Sequence, residues 1–350
     1  MATLKKRKKL PEDEIVTSPI IQPTNYIPSG CTLLNLALSN TIHGGYTPGT
    51  IINIIGDSHA GKTLLLWTMF AEIVRDSRFN DYRIVYNEPE QAFYMDTDAL
   101  FGPATCKVER DKASRTIQEW QSDVVREMST DTPIIYGLDS FDALSSIEEQ
   151  DRIKDLIKTG EMGGSYRTEK ARIGGEVLRN ICGAMYQSKS LLALVSQTRD
   201  NIGAMFGSGK TRSGGRALDF FSTHIMWLSV KSAIRKTTRG VSHIVGGNVV
   251  ITISKNKITG YKTKIEVPIM VDYGIDNTMA NINYLLENKG LHKKGTLLTS
   301  DGVFPELNKS DLVDYIETEN KYTELEELVG EVWGAIKEEL KTKRKARYSE

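Results

Sequence analysis

A Gly-x-x-x-x-Gly-Lys-Thr motif occupies positions 56–63 of this 350-residue chain. Its members are Gly56, Asp57, Ser58, His59, Ala60, Gly61, Lys62 and Thr63. Glycines let backbone N–H groups wrap the phosphates of a ligand, and the N-terminus of a following helix adds partial positive charge. An apolar strand pattern at Ile51–Ile55 precedes the motif, and a helical pattern at Lys62–Arg75 follows it. This order predicts an ATP-binding phosphate loop, in which Lys62 reaches the terminal phosphates and Thr63 binds Mg²⁺.

A second acidic residue is expected beside the metal of such a loop. The apolar strand pattern Ile134–Leu138 ends in Asp139. A strand-terminal Asp is also a common helix cap, so this position alone leaves both roles open. Together with the phosphate loop, it predicts that Asp139 is the second Mg²⁺ residue.

A basic and apolar segment follows the strand pattern Leu191–Ser196 and its neighbour Gln197. Single-stranded DNA binding requires cations for the backbone and apolar side chains against the bases. The segment supplies cations at Arg199, Lys210, Arg212 and Arg216, and apolar groups at Ile202, Met205 and Phe206. These residues predict a DNA-binding loop. The alternative is that the three apolar side chains fold under the loop as a local core.

A phosphate loop joined to such a segment by a strand tipped with Gln197 resembles the RecA family of strand-exchange recombinases. The resemblance is closest over residues 197–207 (QTRDNIGAMFG) and 214–218 (GGRAL). It implies that this segment is the family's second DNA-binding loop, closed by Gly214 and Gly215, with Ile202 wedged between base triplets. It also implies that Gln197 senses the γ-phosphate of ATP and orders the loop. A plain strand-end glutamine is the alternative.

The resemblance also assigns the residue that activates water. In the family an acid-x-Glu-x-Ala pattern follows the strand after the phosphate-loop helix, and residues 88–92 (EPEQA) match it. This implies that Glu90 polarises the attacking water and that Glu88 is the accompanying acid. Glu88 is the substitute base if Glu90 is only a solvated loop residue.

Lys255, Asn256 and Lys257 continue the strand pattern Val249–Ser254. Residues two apart on a strand face the same side, so both ammonium groups can converge on one anion. By resemblance, the two lysines reach across a subunit interface to the γ-phosphate held by the neighbour. A basic strand end that faces solvent is the alternative.

The helical pattern Lys170–Tyr186 carries Arg172 and Arg179, which are seven residues apart and therefore on one face. The resemblance aligns both with arginines that hold DNA phosphates, whereas exposed arginines are more often only solvated. The preceding segment, Leu156–Thr168, falls where the family's first DNA loop lies, with Met162 or Tyr166 at its tip.

Strand and helix patterns alternate through the chain, which predicts an α/β fold with a mainly parallel central sheet. With the resemblance, this becomes a RecA-like P-loop NTPase core. Further strand patterns lie at Arg83–Tyr86, Ile225–Leu228 and Ile265–Val271, and a further helical pattern lies at Thr116–Met128. The late strands lack intervening helices and are expected to be antiparallel at one edge.

We divide the chain into three parts. An extended arm at 1–28, with a possible oligomerisation strand at Ile15–Ile21, precedes a core at 29–275 that binds ATP and DNA. A small C-terminal unit at 276–350 follows, with a charged helix at Tyr322–Lys341 and a basic tail. The arm lacks the family's N-terminal helix. The aromatic that commonly stacks on adenine is also missing from its expected place, which reads YMDT at 94–97.

Composition excludes little. Lys plus Arg equals Asp plus Glu, at 45 each, so any DNA-binding surface must come from local clustering. No apolar run reaches the length of a membrane span and the N-terminus lacks the pattern of a signal peptide, so a cytoplasmic protein is expected. Cys31, Cys106 and Cys182 have no metal or redox spacing and are interpreted as reduced packing residues.

The leading hypothesis is an ATP-dependent recombinase, in form a compact phage or prophage relative of the family. It would form a filament on single-stranded DNA and exchange strands with a homologous duplex, with single-strand-binding or loading proteins as further partners. A hexameric ring helicase and a non-exchanging accessory paralogue are the alternatives. The helicase would share the phosphate loop but not the pattern at 197–218, and the paralogue would barely hydrolyse ATP.

Overall fold

The computed structural model describes residues 25–110, 113–159, 168–200, 210–212, 215–300 and 302–344. The strands within these ranges are β1 (Thr50–Gly56), β2 (Arg83–Asn87), β3 (Glu109–Arg110), β4 (Ile134–Leu138), β5 (Leu191–Asp200), β6 (Lys210–Arg212), β7 (His224–Thr238), β8 (Val241–Asn256), β9 (Thr263–Met270), β10 (Gly274–Ile275), β11 (His292–Lys294) and β12 (Leu297–Thr299). Ten of them form one sheet, in the order β10-β9-β8-β7-β1-β5-β4-β2-β3, with β6 paired to the outer end of β5.

The part of the sheet from β7 to β3 is parallel throughout. β1 lies at its centre, where Gly56 is opposite Gln197 of β5 and also opposite Leu228 of β7. The carboxyl ends of parallel strands meet at one edge of a sheet. This edge therefore brings together the residues that follow β1, β4 and the inner part of β5.

The described helices are α1 (Thr32–Ser39), α2 (Lys62–Ile73), α3 (Thr97–Phe101), α4 (Ile117–Met128), α5 (Ile147–Thr159), α6 (Thr168–Ser188), α7 (Gly215–Phe221), α8 (Asn277–Glu287), α9 (Lys309–Thr318) and α10 (Tyr322–Glu339). Two buried clusters lie on the two faces of the sheet. One contains the apolar faces of α1, α2 and the C-terminal helices, and the other contains those of α4 and α6. Because helices cover both faces, the central strands are apolar on both sides. The predicted α/β fold with a mainly parallel sheet is confirmed.

From β7 to β10 the sheet is antiparallel, as expected for the late strands. The predicted limits of β7 and β8 are wrong, because the two strands continue as a hairpin through Thr238 and Val241. β5 also extends beyond its predicted end at Ser196 to Asp200. The outer part of the β7–β8 hairpin is largely exposed. Its sequence therefore lacks the apolar pattern that marks the buried inner parts.

The chain after β10 packs against the same core as the phosphate-loop helix. Leu312, Ile316, Leu325 and Val329 of α9 and α10 are buried in the cluster that also contains α2. β11 and β12 form a separate two-stranded antiparallel sheet. The division at residue 275 therefore stays a prediction, since packing is continuous across it. The arm at 1–24 lies outside the described residues.

Candidate functional site

The phosphate loop joins β1 to α2 in a backbone shape that its glycines permit. Gly56 lies so close to β7 that a Cβ there would stand 2.7 Å from the carbonyl oxygen of Leu228. Gly61, the residue before α2, has a φ of +85°, and a Cβ there would stand 2.7 Å from Cδ1 of Ile269. Both positions accept only glycine without displacing a neighbour. Ser58 and His59 are exposed at the tip of the loop, and Ala60 is buried beneath it.

Lys62 is the first residue of α2 and is 8% exposed. Its Nζ donates a hydrogen bond to the backbone oxygen of Asp57, at 2.7 Å. Burial lowers the pKa of Lys62, and the nearby carboxylates of Asp139 and Glu90 oppose this shift. The ammonium group is therefore held over the loop, in an environment where phosphate oxygens can replace a carbonyl.

Thr63 and Asp139 meet at the edge of the sheet, as the sequence predicts. The hydroxyl of Thr63 donates to Oδ2 of Asp139 at 2.6 Å, and the hydroxyl of Tyr86 donates to the same oxygen at 3.3 Å. Burial raises the pKa of Asp139, and the hydrogen bond from Thr63 partly offsets this effect. A hydroxyl and a carboxylate beside a phosphate loop are the oxygen donors that Mg²⁺ prefers, so these residues fit the ion.

Glu90 lies across the site from the phosphate loop. Its Oε1 accepts hydrogen bonds from Oγ of Ser140, at 2.7 Å, and from Nε2 of Gln197, at 2.8 Å. A cleft of about 280 Å³ is lined by Glu90 together with Asp142, Ala143, Gln197 and Thr198. The Glu90 carboxylate thus connects Ser140, just after β4, with Gln197 of β5.

Glu88 is held differently. Its carboxylate accepts from the backbone N–H of Ala92 at 3.2 Å and so closes a local turn. Burial raises its pKa. Glu88 and Glu90 both line a second cleft of about 280 Å³, which also contains Thr63 and Asp139. Only Glu90 of the two contacts Gln197 within the described residues.

The outer part of β5 and β6 form a short two-stranded ribbon, which we name the stalk (residues 198–200 and 210–212). Thr198 is opposite Arg212, and Asp200 is opposite Lys210. At the root of the stalk, the N–H of Gln197 donates to Oδ2 of Asp142 at 2.7 Å. The hydroxyl of Thr198 donates to Oδ1 of Asp57 in the phosphate loop. The stalk therefore starts beside the phosphate loop.

Lys255 and Lys257 converge on one negative feature, as their spacing predicts. Nζ of Lys255 donates to the backbone oxygens of Asp219 and Phe220, and Nζ of Lys257 donates to that of Phe220 at 3.1 Å. These carbonyls end α7, where the helix dipole is negative. Within one subunit the two lysines therefore cap α7, which begins at Gly215 beyond the stalk.

The predicted DNA-binding residues fall into three groups. Arg172, Arg179 and Arg216 are exposed, and Arg172 forms an ion pair with Glu176 at 3.4 Å on α6. The backbones of Arg199, Lys210 and Arg212 belong to the stalk, and Gly215 begins α7. Ile202, Met205, Phe206 and Gly214 lie outside the described residues, as do Met162 and Tyr166 of the predicted first loop.

Ser140 and Asp142 do not figure in the sequence prediction, and Tyr94 figures there only within the segment 94–97, where the expected adenine-stacking aromatic is missing. Ser140, which holds Glu90, follows Asp139 directly. Asp142, which holds Gln197, lies in the short helical turn Phe141–Ala143 that comes next. Tyr94 lines the second cleft and is 90% exposed. Its neighbour Phe93 is stacked on Trp67, with ring centroids 5.0 Å apart. The only sequence signal for Ser140 and Asp142 is their position after the strand that ends in Asp139.

The sheet order and the phosphate loop at its carboxyl edge define a P-loop NTPase fold. A family model, described as the RecA N-terminal domain, matches residues 16–276. This chain belongs to the RecA family.

Individual relatives agree. The chain is 29% identical over 287 residues to a Protein RecA of Corynebacterium pseudotuberculosis, covering 80% of this chain and 70% of the relative. It is 26% identical over 317 residues to a Protein RecA of Borrelia hermsii, covering 88% of this chain and 81% of the relative. The predicted family is therefore confirmed. Members of this family use ATP with Mg²⁺. The described residues contain no helix that is long and apolar enough to cross a membrane.

Proposed function

We propose that this chain is an ATP-dependent recombinase that assembles as a filament on single-stranded DNA and exchanges strands with a homologous duplex. Family membership supports a role in recombination. The observation that carries the proposal is the contact between Gln197 and Glu90 at 2.8 Å. It joins the nucleotide site to the strand that continues into the basic segment, so the occupancy of one site can bias the other.

The residues of the site divide the work of ATP hydrolysis. Lys62 would exchange its backbone partner for phosphate oxygens, and Thr63 and Asp139 would hold Mg²⁺. The ion would neutralise charge on the phosphates. Glu90 would orient the attacking water and accept its proton, with Ser140 and Gln197 fixing the carboxylate. Lys255 and Lys257 would act on the γ-phosphate of a neighbouring subunit, as an arginine finger does in trans.

The DNA surface would consist of the stalk, the segment it carries and the exposed arginines of α6. Arg199, Lys210, Arg212 and Arg216 would bind phosphates, as would Arg172 and Arg179. Ile202, Met205 and Phe206 would contact the bases. Base pairing would then supply sequence specificity, since the protein would mainly hold the backbone.

Negative-stain electron microscopy tests this proposal. The purified protein is mixed with long single-stranded DNA, Mg²⁺ and a slowly hydrolysed ATP analogue. We expect continuous helical filaments that are absent without nucleotide and absent for Lys62→Ala. Closed rings would instead support a helicase. Dispersed protein on bare DNA, with tight ATP binding and little hydrolysis, would support an accessory paralogue.

A further inference from the structure

Two loops leave the edge of the sheet side by side. Gly56 of β1 is opposite Gln197 of β5 in a parallel pair. The next residues, Asp57 and Thr198, are therefore neighbours where the phosphate loop and the stalk begin. Their side chains are joined by the hydrogen bond from Oγ1 of Thr198 to Oδ1 of Asp57.

Asp57 places a negative charge in a loop that is built to hold phosphates. Its backbone oxygen accepts from Nζ of Lys62 at 2.7 Å, so both its main chain and its side chain are engaged at the site. Phosphate groups bound by the loop would repel the carboxylate, because like charges at short range in a partly dry site are poorly screened. Nucleotide binding therefore acts on the group that holds Thr198.

Thr198 is well placed to pass this effect on. It is the first stalk residue, paired with Arg212 across the ribbon. A change in the bond at this root would act on the backbone of both stalk strands, since ladder hydrogen bonds connect them. This route is separate from the one through Gln197, whose side chain contacts Glu90 instead.

We propose that Asp57 and Thr198 form a latch between the phosphate loop and the stalk, which the phosphates of a bound nucleotide open by repelling the Asp57 carboxylate. Both are positioning residues, and the inference rests on the proposed nucleotide site. The latch holds the stalk in one arrangement until nucleotide binds. Nucleotide and DNA would therefore both bias the arrangement of the stalk. It adds a second connection to the one through Gln197.

Hydrogen–deuterium exchange of the full chain, without DNA, tests the latch. Amide exchange of the stalk peptides is compared with and without a slowly hydrolysed ATP analogue and Mg²⁺. In the natural protein we expect nucleotide to change the exchange rate of the stalk at least fivefold. In Thr198→Val, which keeps the shape but loses the hydroxyl, we expect the nucleotide-free rate to match the bound rate within twofold. Thr198→Ser, which keeps the hydroxyl, is the matched control and should behave as the natural protein does.

Asp57→Asn separates charge from hydrogen bonding, because the amide oxygen still accepts a bond from Thr198. We expect tighter nucleotide binding, by fivefold or more, and a nucleotide effect on stalk exchange below twofold. Calorimetric titration with the same analogue is run on every sample. If the natural protein binds no nucleotide, the proposed function fails and the latch with it. If it binds but Thr198→Val keeps the full exchange response, the latch alone is overturned.

Discussion

Glu90 and Glu88 are two residues apart but are held by different partners. Glu90 contacts Ser140 and Gln197, whereas Glu88 closes a turn onto the N–H of Ala92. We therefore expect Glu90→Gln to slow DNA-stimulated ATP hydrolysis by ~100-fold or more while leaving nucleotide binding intact, as for the loss of a general base. Phosphate release with saturating single-stranded DNA measures this.

Glu88→Gln is the matched control for Glu90→Gln. It removes one charge two residues away. We expect the rate of ATP hydrolysis to fall less than ~10-fold, because a carboxylate that only closes a turn does not act on the reacting water. The reverse order of the two losses would transfer the role of base to Glu88.

Tyr94 has an exposed ring on a chain segment that is fixed on both sides. Phe93 is stacked on Trp67, and the Asp96 side chain caps α3. We expect the ring to stack on the base of the nucleotide and Tyr94→Ala to weaken ATP binding by ~1 kcal/mol or more, the usual scale of base stacking. Tyr94→Phe should bind as the natural protein does.

Titration with inorganic triphosphate distinguishes base stacking from a general disturbance at Tyr94. Its affinity should be the same in Tyr94→Ala as in the natural protein, because the phosphates do not need the ring. Equal losses for ATP and triphosphate would show that the substitution disturbs the phosphate site instead.

His224 is a buried histidine whose environment favours the neutral ring. Burial lowers its pKa to about 3, and the ring of Tyr46 packs against it edge to face. Between pH 6.5 and 3 the unfolded chain binds a proton at this residue that the folded chain does not. Its contribution to the free energy of unfolding is thus complete above pH 6.5 and falls with pH, by ~2 kcal/mol at pH 5.

Urea unfolding at pH 8 and pH 5 checks the effect of His224. Between pH 8 and pH 5, the free energy of unfolding should fall by ~2 kcal/mol less in His224→Leu than in the natural protein. The comparison isolates His224 because the other titrating groups, such as Glu326 with its pKa raised by burial, are present in both proteins. His243→Leu, at an exposed histidine of the β7–β8 hairpin, is the control and should keep the natural difference.

At the scale of elements, β8 and α7 meet where subunits are proposed to meet. Lys255 and Lys257 lie on the carbonyls that end α7, and their proposed partner is a phosphate in another subunit. We expect the double change Lys255→Ala and Lys257→Ala to slow DNA-stimulated hydrolysis by ~100-fold or more, the loss that we also expect for Glu90→Gln.

Mixing the two inactive proteins tests action in trans. In an equal mixture, a head-to-tail interface can combine the intact Glu90 of one subunit with the intact lysines of the next. About a quarter of the interfaces would do so at random, so activity should return to about a quarter of the natural rate. A mixture that stays inactive would show that the lysines act on the site of their own subunit or only cap α7.

The elements that sequence predicts well are those buried on both faces. β1, β4 and the inner part of β5 are apolar runs, and the phosphate loop, Thr63 and Asp139 follow from their spacing. The outer hairpin is not marked by apolar periodicity, because it is largely exposed and does not pack on the core. The stalk residues likewise form no apolar run. The contacts of Thr198 with Asp57 and of Gln197 with Glu90 join residues 141 and 107 positions apart, so local pattern does not reveal them.

At the scale of the whole molecule, formal charge is balanced and binding to DNA must come from local clusters. Each cation that neutralises a phosphate of single-stranded DNA contributes about −0.7 to the slope of log affinity against log salt. For the four cations from Arg199 to Arg216, we expect a slope of about −3 or steeper in fluorescence anisotropy at several salt concentrations.

Replacement of Lys210 by Gln should make that slope shallower by about 0.7. Lys341→Gln, at an exposed lysine just beyond α10 and paired with Glu338, removes the same charge elsewhere and is the control. A slope near zero would exclude the stalk and its segment as the DNA surface.

The stalk is a short two-stranded ribbon whose root is joined to the phosphate loop through Thr198 and Asp57. Two residue steps separate Thr198 from Asp200, a reach of about 7 Å at the usual rise of a strand. A tilt of about 10° at the root would therefore carry the far end of the ribbon through about 1 Å. In the proposed latch, a small rearrangement around one phosphate would therefore become a displacement of about 1 Å at the far end of the stalk, if the ribbon moves as one body. If the latch acts through this ribbon, Thr211→Gly would let the ribbon bend and would weaken the proposed coupling between nucleotide binding and the segment beyond the stalk.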